Sequence, residues 1–207
     1  MKKLLLALFM IISFHLYAQN DEAYVDALVN EFTAKLEERG IANWFSNKRF
    51  CTGSTEMFQM ENGRMCTSKG TYFEVYVLWE EEGITMIKKI DNCGLFYSVP
   101  LKSNELMEFV DTNYLDLQLN HVKPYKADNI SGIPTSRTTV QPCKRSYVFK
   151  KKGGVMKQKY NLYDLTTSEK HPNTNYKHNN EQKIVALDKK LDNVINALGA
   201  KFKRQKS

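Results

Sequence analysis

The chain reads as an α+β protein of one domain, an antiparallel sheet packed against an N-terminal and a C-terminal helix. Three observations predict this. Apolar residues recur at helical spacing near each end, at Val25, Leu28, Val29, Phe32 and Leu36 and again at Ile184, Leu187, Leu191, Val194 and Leu198. The middle of the chain alternates runs of β-branched and aromatic residues with turn residues. The order helix, three strands, helix, hairpin, helix leaves no crossover helix between the strands of the meander. They therefore pair antiparallel, with the terminal helices covering one face.

The stretch ahead of the first helix reads as a bacterial-style signal peptide. Lys2 and Lys3 form a positive start, Leu4 to Phe14 is apolar except for Ser13, and Leu16 and Ala18 occupy the −3 and −1 positions of a cleavage site. The apolar run is shorter than the roughly 20 residues that span a bilayer. A buried N-terminal helix is the alternative, but the helical pattern after Ala18 has its own start. Residues 1–18 are thus expected to be removed after Ala18. Residues 19–207 then act in the periplasm or outside the cell, with no membrane span. The 12% aromatic content of the full sequence argues against disorder.

The first helix is predicted over Asp21 to Arg39, capped by Asn20 or Asp21 and ended by Gly40. The segment "IANWFSN" then supplies Trp44 and Phe45, expected to pack under the following loop. The meander runs Thr71–Trp79, a turn at Glu80–Gly83, Ile84–Ile90, a turn at Asp91–Gly94, and Leu95–Pro100. In its first strand Phe73, Val75, Val77 and Trp79 share the face expected to be buried, because Tyr72, Glu74, Tyr76 and Leu78 on the other include a charge. A short helix with a serine cap starts at Ser103. Asn120 to Pro142 is a long proline-containing loop, a length that is uncommon without a reason. A hairpin turning at Gly153-Gly154 and a polar loop lead to the last helix, Glu181 to about Phe202. The basic tail, about 203–207, is expected to fray.

Four cysteines, Cys51, Cys66, Cys93 and Cys143, suggest two disulfides in an exported chain. Four cysteines allow three pairings. The expected one is Cys51 with Cys66, closing a short loop, and Cys93 with Cys143. The absence of a C-x-x-C motif argues against a thioredoxin-type pair or a zinc knuckle.

The net charge of +7 hides a gradient. Residues 19–120 carry 9 Lys/Arg against 17 Asp/Glu, and residues 121–207 carry 19 against 6. One reading is that the two halves simply face each other. The sharpest basic feature is the hairpin, where Lys144, Lys150, Lys157 and Lys159 can point to one side and Tyr147, Phe149, Met156, Tyr160 and Leu162 to the other. This suits an anionic partner such as an acidic glycan, lipopolysaccharide or extracellular nucleic acid. It also suits plain edge protection, since lysines on an edge strand discourage sheet-to-sheet aggregation.

Catalytic motifs are missing: there is no G-x-S-x-G, H-E-x-x-H, EF-hand or Walker loop. His171 and His178 lie seven apart in a polar loop, a spacing that does not diagnose a metal site. His121 is a general-base candidate without a visible partner, and Glu80, Glu81 and Glu82 read as a solvated hairpin tip. The sequon at Asn129 carries no weight in a bacterial-style chain. The sequence therefore favours a non-catalytic binding or interaction module without cofactor or metal, its partner an anionic glycan, lipopolysaccharide or an envelope protein. The alternatives are a small secreted hydrolase with histidine and carboxylate chemistry near Asn120–Pro142, and a structural envelope component without a ligand.

Overall fold

The structure, a computed structural model, describes residues 20–127, 142–152 and 154–206. The expected signal peptide lies outside them, as do residues 128–141 of the long loop and Gly153 of the hairpin turn.

Helix α1, Glu22–Glu38, starts where the Asp21 carboxylate accepts the Tyr24 N–H at 2.9 Å. It ends at Gly40, whose φ of +81° lets the Ile41 N–H turn back to the Leu36 carbonyl at 3.0 Å. Strand β1, Trp44–Cys51, follows where the sequence pattern suggested no strand. A small hairpin comes next, β2 Met57–Gln59 and β3 Met65–Thr67. The meander then runs through β4 Phe73–Glu81, β5 Ile84–Asp91, β6 Gly94–Leu95 and β7 Val99–Pro100. Glu82 and Gly83 both have positive φ, which matches the right-handed twist of a two-residue hairpin turn. The expected third strand is broken into β6 and β7, both paired with β5.

Helices α2 Glu105–Thr112 and α3 Tyr114–Leu119 come next. The cap position of α2 falls on Asn104, not Ser103, and the Asn104 side chain is committed elsewhere. It accepts from the Thr85 N–H at 2.9 Å and donates to the Gly83 carbonyl at 2.9 Å. Strands β8 Cys143–Lys151 and β9 Gly154–Asn161 form the hairpin. Helices α4 Tyr176–Asn180 and α5 Lys183–Leu198 close the chain, so the last helix is shorter than expected and gives way to a 3-10 turn at Gly199–Lys201.

The sheet is antiparallel, in the order β6-β5-β4-β1-β8-β9 with β7 beside β5. Strand β1 is central and joins the meander to the hairpin. Both faces are covered. Helix α1 packs on Phe73, Val75, Val77 and Trp79 of β4. Helices α2, α3 and α5 pack on Phe45, Tyr76, Leu78, Ile87, Tyr147 and Phe149. The two terminal helices thus lie on opposite faces, and the β4 face expected to meet solvent is buried at Tyr76 and Leu78. Along α5, Ile184, Leu187, Leu191 and Leu198 are buried, as their spacing predicts.

The disulfides pair differently from expectation: Cys51 with Cys143 and Cys66 with Cys93. Cys51 and Cys143 are register partners across β1 and β8, a relation invisible without β1 as a strand. Cys66 in β3 meets Cys93 in the turn after β5. The tail is also tied down. Tyr97 donates to the Lys203 carbonyl at 2.9 Å and Gln205 to the Leu95 carbonyl at 2.8 Å, so the chain end extends the sheet at its β6 edge. Arg204 forms a two-pronged pair with the fully buried Asp91, at 2.6 and 2.7 Å, and lies over the Phe96 ring.

Candidate anion-binding face

Strand alternation fixes where the hairpin lysines point. In the β8–β9 register Ser146 faces Lys159 and Val148 faces Lys157. Lys144, Ser146, Val148 and Lys150 therefore share one face with Val155, Lys157 and Lys159. Tyr147, Phe149 and Tyr160 are buried on the opposite face, under α5, with Met156 packed beside them. The lysine face is the one that carries α1, but α1 lies over β4, β5 and β6 and leaves the outer hairpin open.

The acidic side of α1 neutralises the lysines nearest to it. Lys48 in β1 is 2.7 Å from both Glu22 and Asp26, and Lys150 is 3.4 Å from Glu37. Farther out this supply stops. Lys157 and Lys159 are exposed, and among the described residues neither has a carboxylate partner. Lys144 is half-buried, with its ammonium 5.9 Å from the Phe50 ring centroid. Beyond Lys150 this face thus carries three cations, Lys144, Lys157 and Lys159, with Ser146, Val148 and Val155 and no aromatic ring of its own strands.

The catalytic candidates do not converge. His121 is exposed and contributes only its main-chain carbonyl, 3.4 Å from His178 Nε2. The His178 ring also meets Gln182 Nε2 at 3.3 Å. His171 offers its carbonyl to the Tyr125 hydroxyl, not its ring. Among the described residues no three His, Cys, Asp or Glu side chains are grouped to hold a metal ion. Glu80, Glu81 and Glu82 rim an open polar recess of about 650 Å³ beside Arg39 and Asp111. Glu81 is engaged by the Trp79 indole N–H, at 3.2 Å, and by Arg39, and these two hold its carboxyl below the usual range.

Sequence reasoning missed a belt of charge running across the sheet beneath α5. Arg49 of β1 is 8% exposed, yet it reaches Asp188 at 3.1 Å and also Asp192, both on α5. Arg145 of β8 meets Asp188 at 3.2 Å, and the Tyr147 hydroxyl donates to it at 2.7 Å. Burial opposes the Arg49 charge, but Asp188, Tyr147 and Asp192 outweigh it and hold the guanidinium protonated. Burial first, and the Asp188 charge second, push the Tyr147 and Tyr160 hydroxyls well above their ordinary range. Among the described residues Asn47 Nδ2 is buried without a hydrogen-bond partner. The belt is closed by its own counter-charges and joins α5 to the sheet; the open cations lie on the other face. The chain matches no known family, no curated protein and no solved structure.

Proposed function

We propose that the protein is an exported, non-catalytic binding module that holds an extended anionic chain on the outer β8–β9 face. The observation that carries this reading is the split among the basic residues of that face. Lys48 and Lys150 are matched by carboxylates of α1, whereas Lys157 and Lys159 stand in solvent without one, next to Lys144. Lys157 and Lys159 are two residues apart on one strand, hence about 6–7 Å along it. That spacing suits a ligand with repeated charges, such as an acidic glycan or the phosphates of a lipopolysaccharide. Single-stranded nucleic acid fits less well, because its binding sites add aromatic platforms on which bases stack. Export is supported by the two disulfides, which persist in oxidising compartments, and by the leader-like N-terminus.

A second reading has its own observation: β9 is an edge strand, and lysines there keep it from pairing with another sheet. One variant separates the two. Lys144, Lys150, Lys157 and Lys159 are replaced together by glutamine, and binding to dextran sulfate and to lipopolysaccharide is measured near 0.15 M salt. The binding reading expects the wild type to bind, the variant to lose at least tenfold in affinity, and both to melt alike. The edge reading expects equal binding, or none, with only the variant self-associating. Intact mass of the protein recovered outside the cytoplasm should begin at Gln19; a mass that includes residues 1–18 overturns the export claim.

A further inference from the structure

On the opposite side of the sheet, a groove of about 390 Å³ runs between the start of α2 and the C-terminal half of α5. Its volume falls within the roughly 300–1,000 Å³ typical of small-molecule sites. The floor is apolar: Leu106 and Leu198 are buried, and Leu101 and Val194 are half-buried, all part of the core beneath α5. The rim is cationic, with Lys102, Lys190 and Lys201 against a single carboxylate, Glu105. Glu105 is taken by Lys190. Lys102 and Lys201 are exposed, and among the described residues neither has a carboxylate partner.

We infer that this groove binds a fatty acid. Its acyl chain would lie along Leu101, Leu106, Val194 and Leu198, and its carboxylate between Lys102 and Lys201. An apolar strip with uncompensated positive charge at its edge complements a single-chain ligand with one negative end. It does not complement a neutral or cationic amphiphile, which would leave both lysines unmatched at an apolar surface. Each methylene added within the groove should tighten binding about fourfold, the factor equivalent to the transfer of one buried CH₂.

The test is displacement of a dansyl-labelled undecanoic acid from the disulfide-bonded chain, below the micellar concentration of each competitor. Dodecanoate should displace the probe and octanoate should do so more weakly. Dodecyltrimethylammonium should be at least tenfold poorer than dodecanoate. Two variants locate the site. Ala197→Trp, at an exposed position beside the groove, fills it, and the pair Lys102→Glu and Lys201→Glu reverses the rim. Each should weaken dodecanoate at least tenfold, with the melting temperature unchanged. The four-lysine glutamine variant of the hairpin should bind dodecanoate like wild type, which separates this site from the polyanion face. Equal displacement by the cationic amphiphile, unsaturable binding, or wild-type affinity in the rim variant each overturns the inference. Should Ala197→Trp lower the melting temperature, the rim variant decides alone. Displacement by an acidic helical peptide but not by dodecanoate also overturns it, in favour of a protein partner.

Discussion

Lys88 reaches from the middle of β5 to the Phe96 carbonyl oxygen at 2.5 Å, with its ammonium 5.0 Å from the Phe32 ring centroid. It is 4% exposed and, among the described residues, has no carboxylate beside it. Burial lowers its pKa below the ordinary 10.5. The sign of the pH effect follows. Between the folded pKa and 10.5 the unfolded chain holds more protons, so stability rises with pH across that window. Lys88→Met removes this dependence. Denaturant midpoints measured from about pH 7 to about pH 10.5 should show the wild type gaining on the variant as pH rises. A difference that stays constant would mean the ammonium is solvated in the folded protein. The neighbour behaves otherwise: Lys89 points to the opposite face and pairs with Glu74. Alternation in "ITMIKKI" told which way each lysine points. It could not tell that both faces are covered, and so that each lysine needs a partner inside the protein.

Elements with a strong local pattern were legible: α1, α5, β4 and β5 stand close to where their apolar and β-branched residues place them. Strand β1 was not, and the reason is chemical. "WFSNKRFC" places Ser46, Asn47, Lys48 and Arg49 in the middle of the sheet, where a strand covered on both faces ordinarily reads as an apolar run. The counter-charges lie on distant elements, Glu22 and Asp26 on α1 and Asp188 and Asp192 on α5. No local window contains both partners. Because Asp188 serves Arg49, Arg145 and Tyr147 at once, Asp188→Ala should be severe. It leaves Arg145 without a carboxylate and Arg49 with Asp192 alone under α5, and removing one partner of a buried pair costs about 3–5 kcal/mol. Chemical denaturation should show the loss, and Asp192→Ala, at a carboxylate with 42% of its side chain exposed, should cost clearly less. Equal losses would mean that the belt is solvated from the α5 side. The candidate lysine face was legible in its geometry, since alternation alone gathers Lys144, Lys150, Lys157 and Lys159. Which of them meet a carboxylate depends on where α1 lies, and that was not.

At the scale of the whole molecule part of the charge gradient is taken up by ion pairs between its halves. Glu37, Glu61, Asp91, Glu105 and Asp111 from the acidic half meet Lys150, Lys206, Arg204, Lys190 and Lys151 from the basic half. The disulfides tie these halves with unequal force. Cys51–Cys143 spans 92 residues and Cys66–Cys93 spans 27. In the chain-entropy account they stabilise by roughly 4.5 and 3.5 kcal/mol. Replacing Cys51 and Cys143 by serine should therefore lower stability more than replacing Cys66 and Cys93. The reverse order in denaturant melts would point to strain or residual structure in the unfolded chain. The pairing was illegible because loop length cannot rank alternatives when a strand register decides them.

The central place of β1 also sets a schedule. One of its neighbours, β4, starts about 30 residues later, but the other, β8, only after about 100, and the sheet's far edge waits for Arg204. A chain emerging N-terminus first can assemble the meander, yet β1 keeps an open flank, and Arg49 and Asp91 lack their ion-pair partners, until β8, Asp188 and Arg204 have followed. Cys51 keeps its thiol until Cys143, 92 residues further on, reaches it across that flank, so the longer disulfide seals the sheet only after the meander stands.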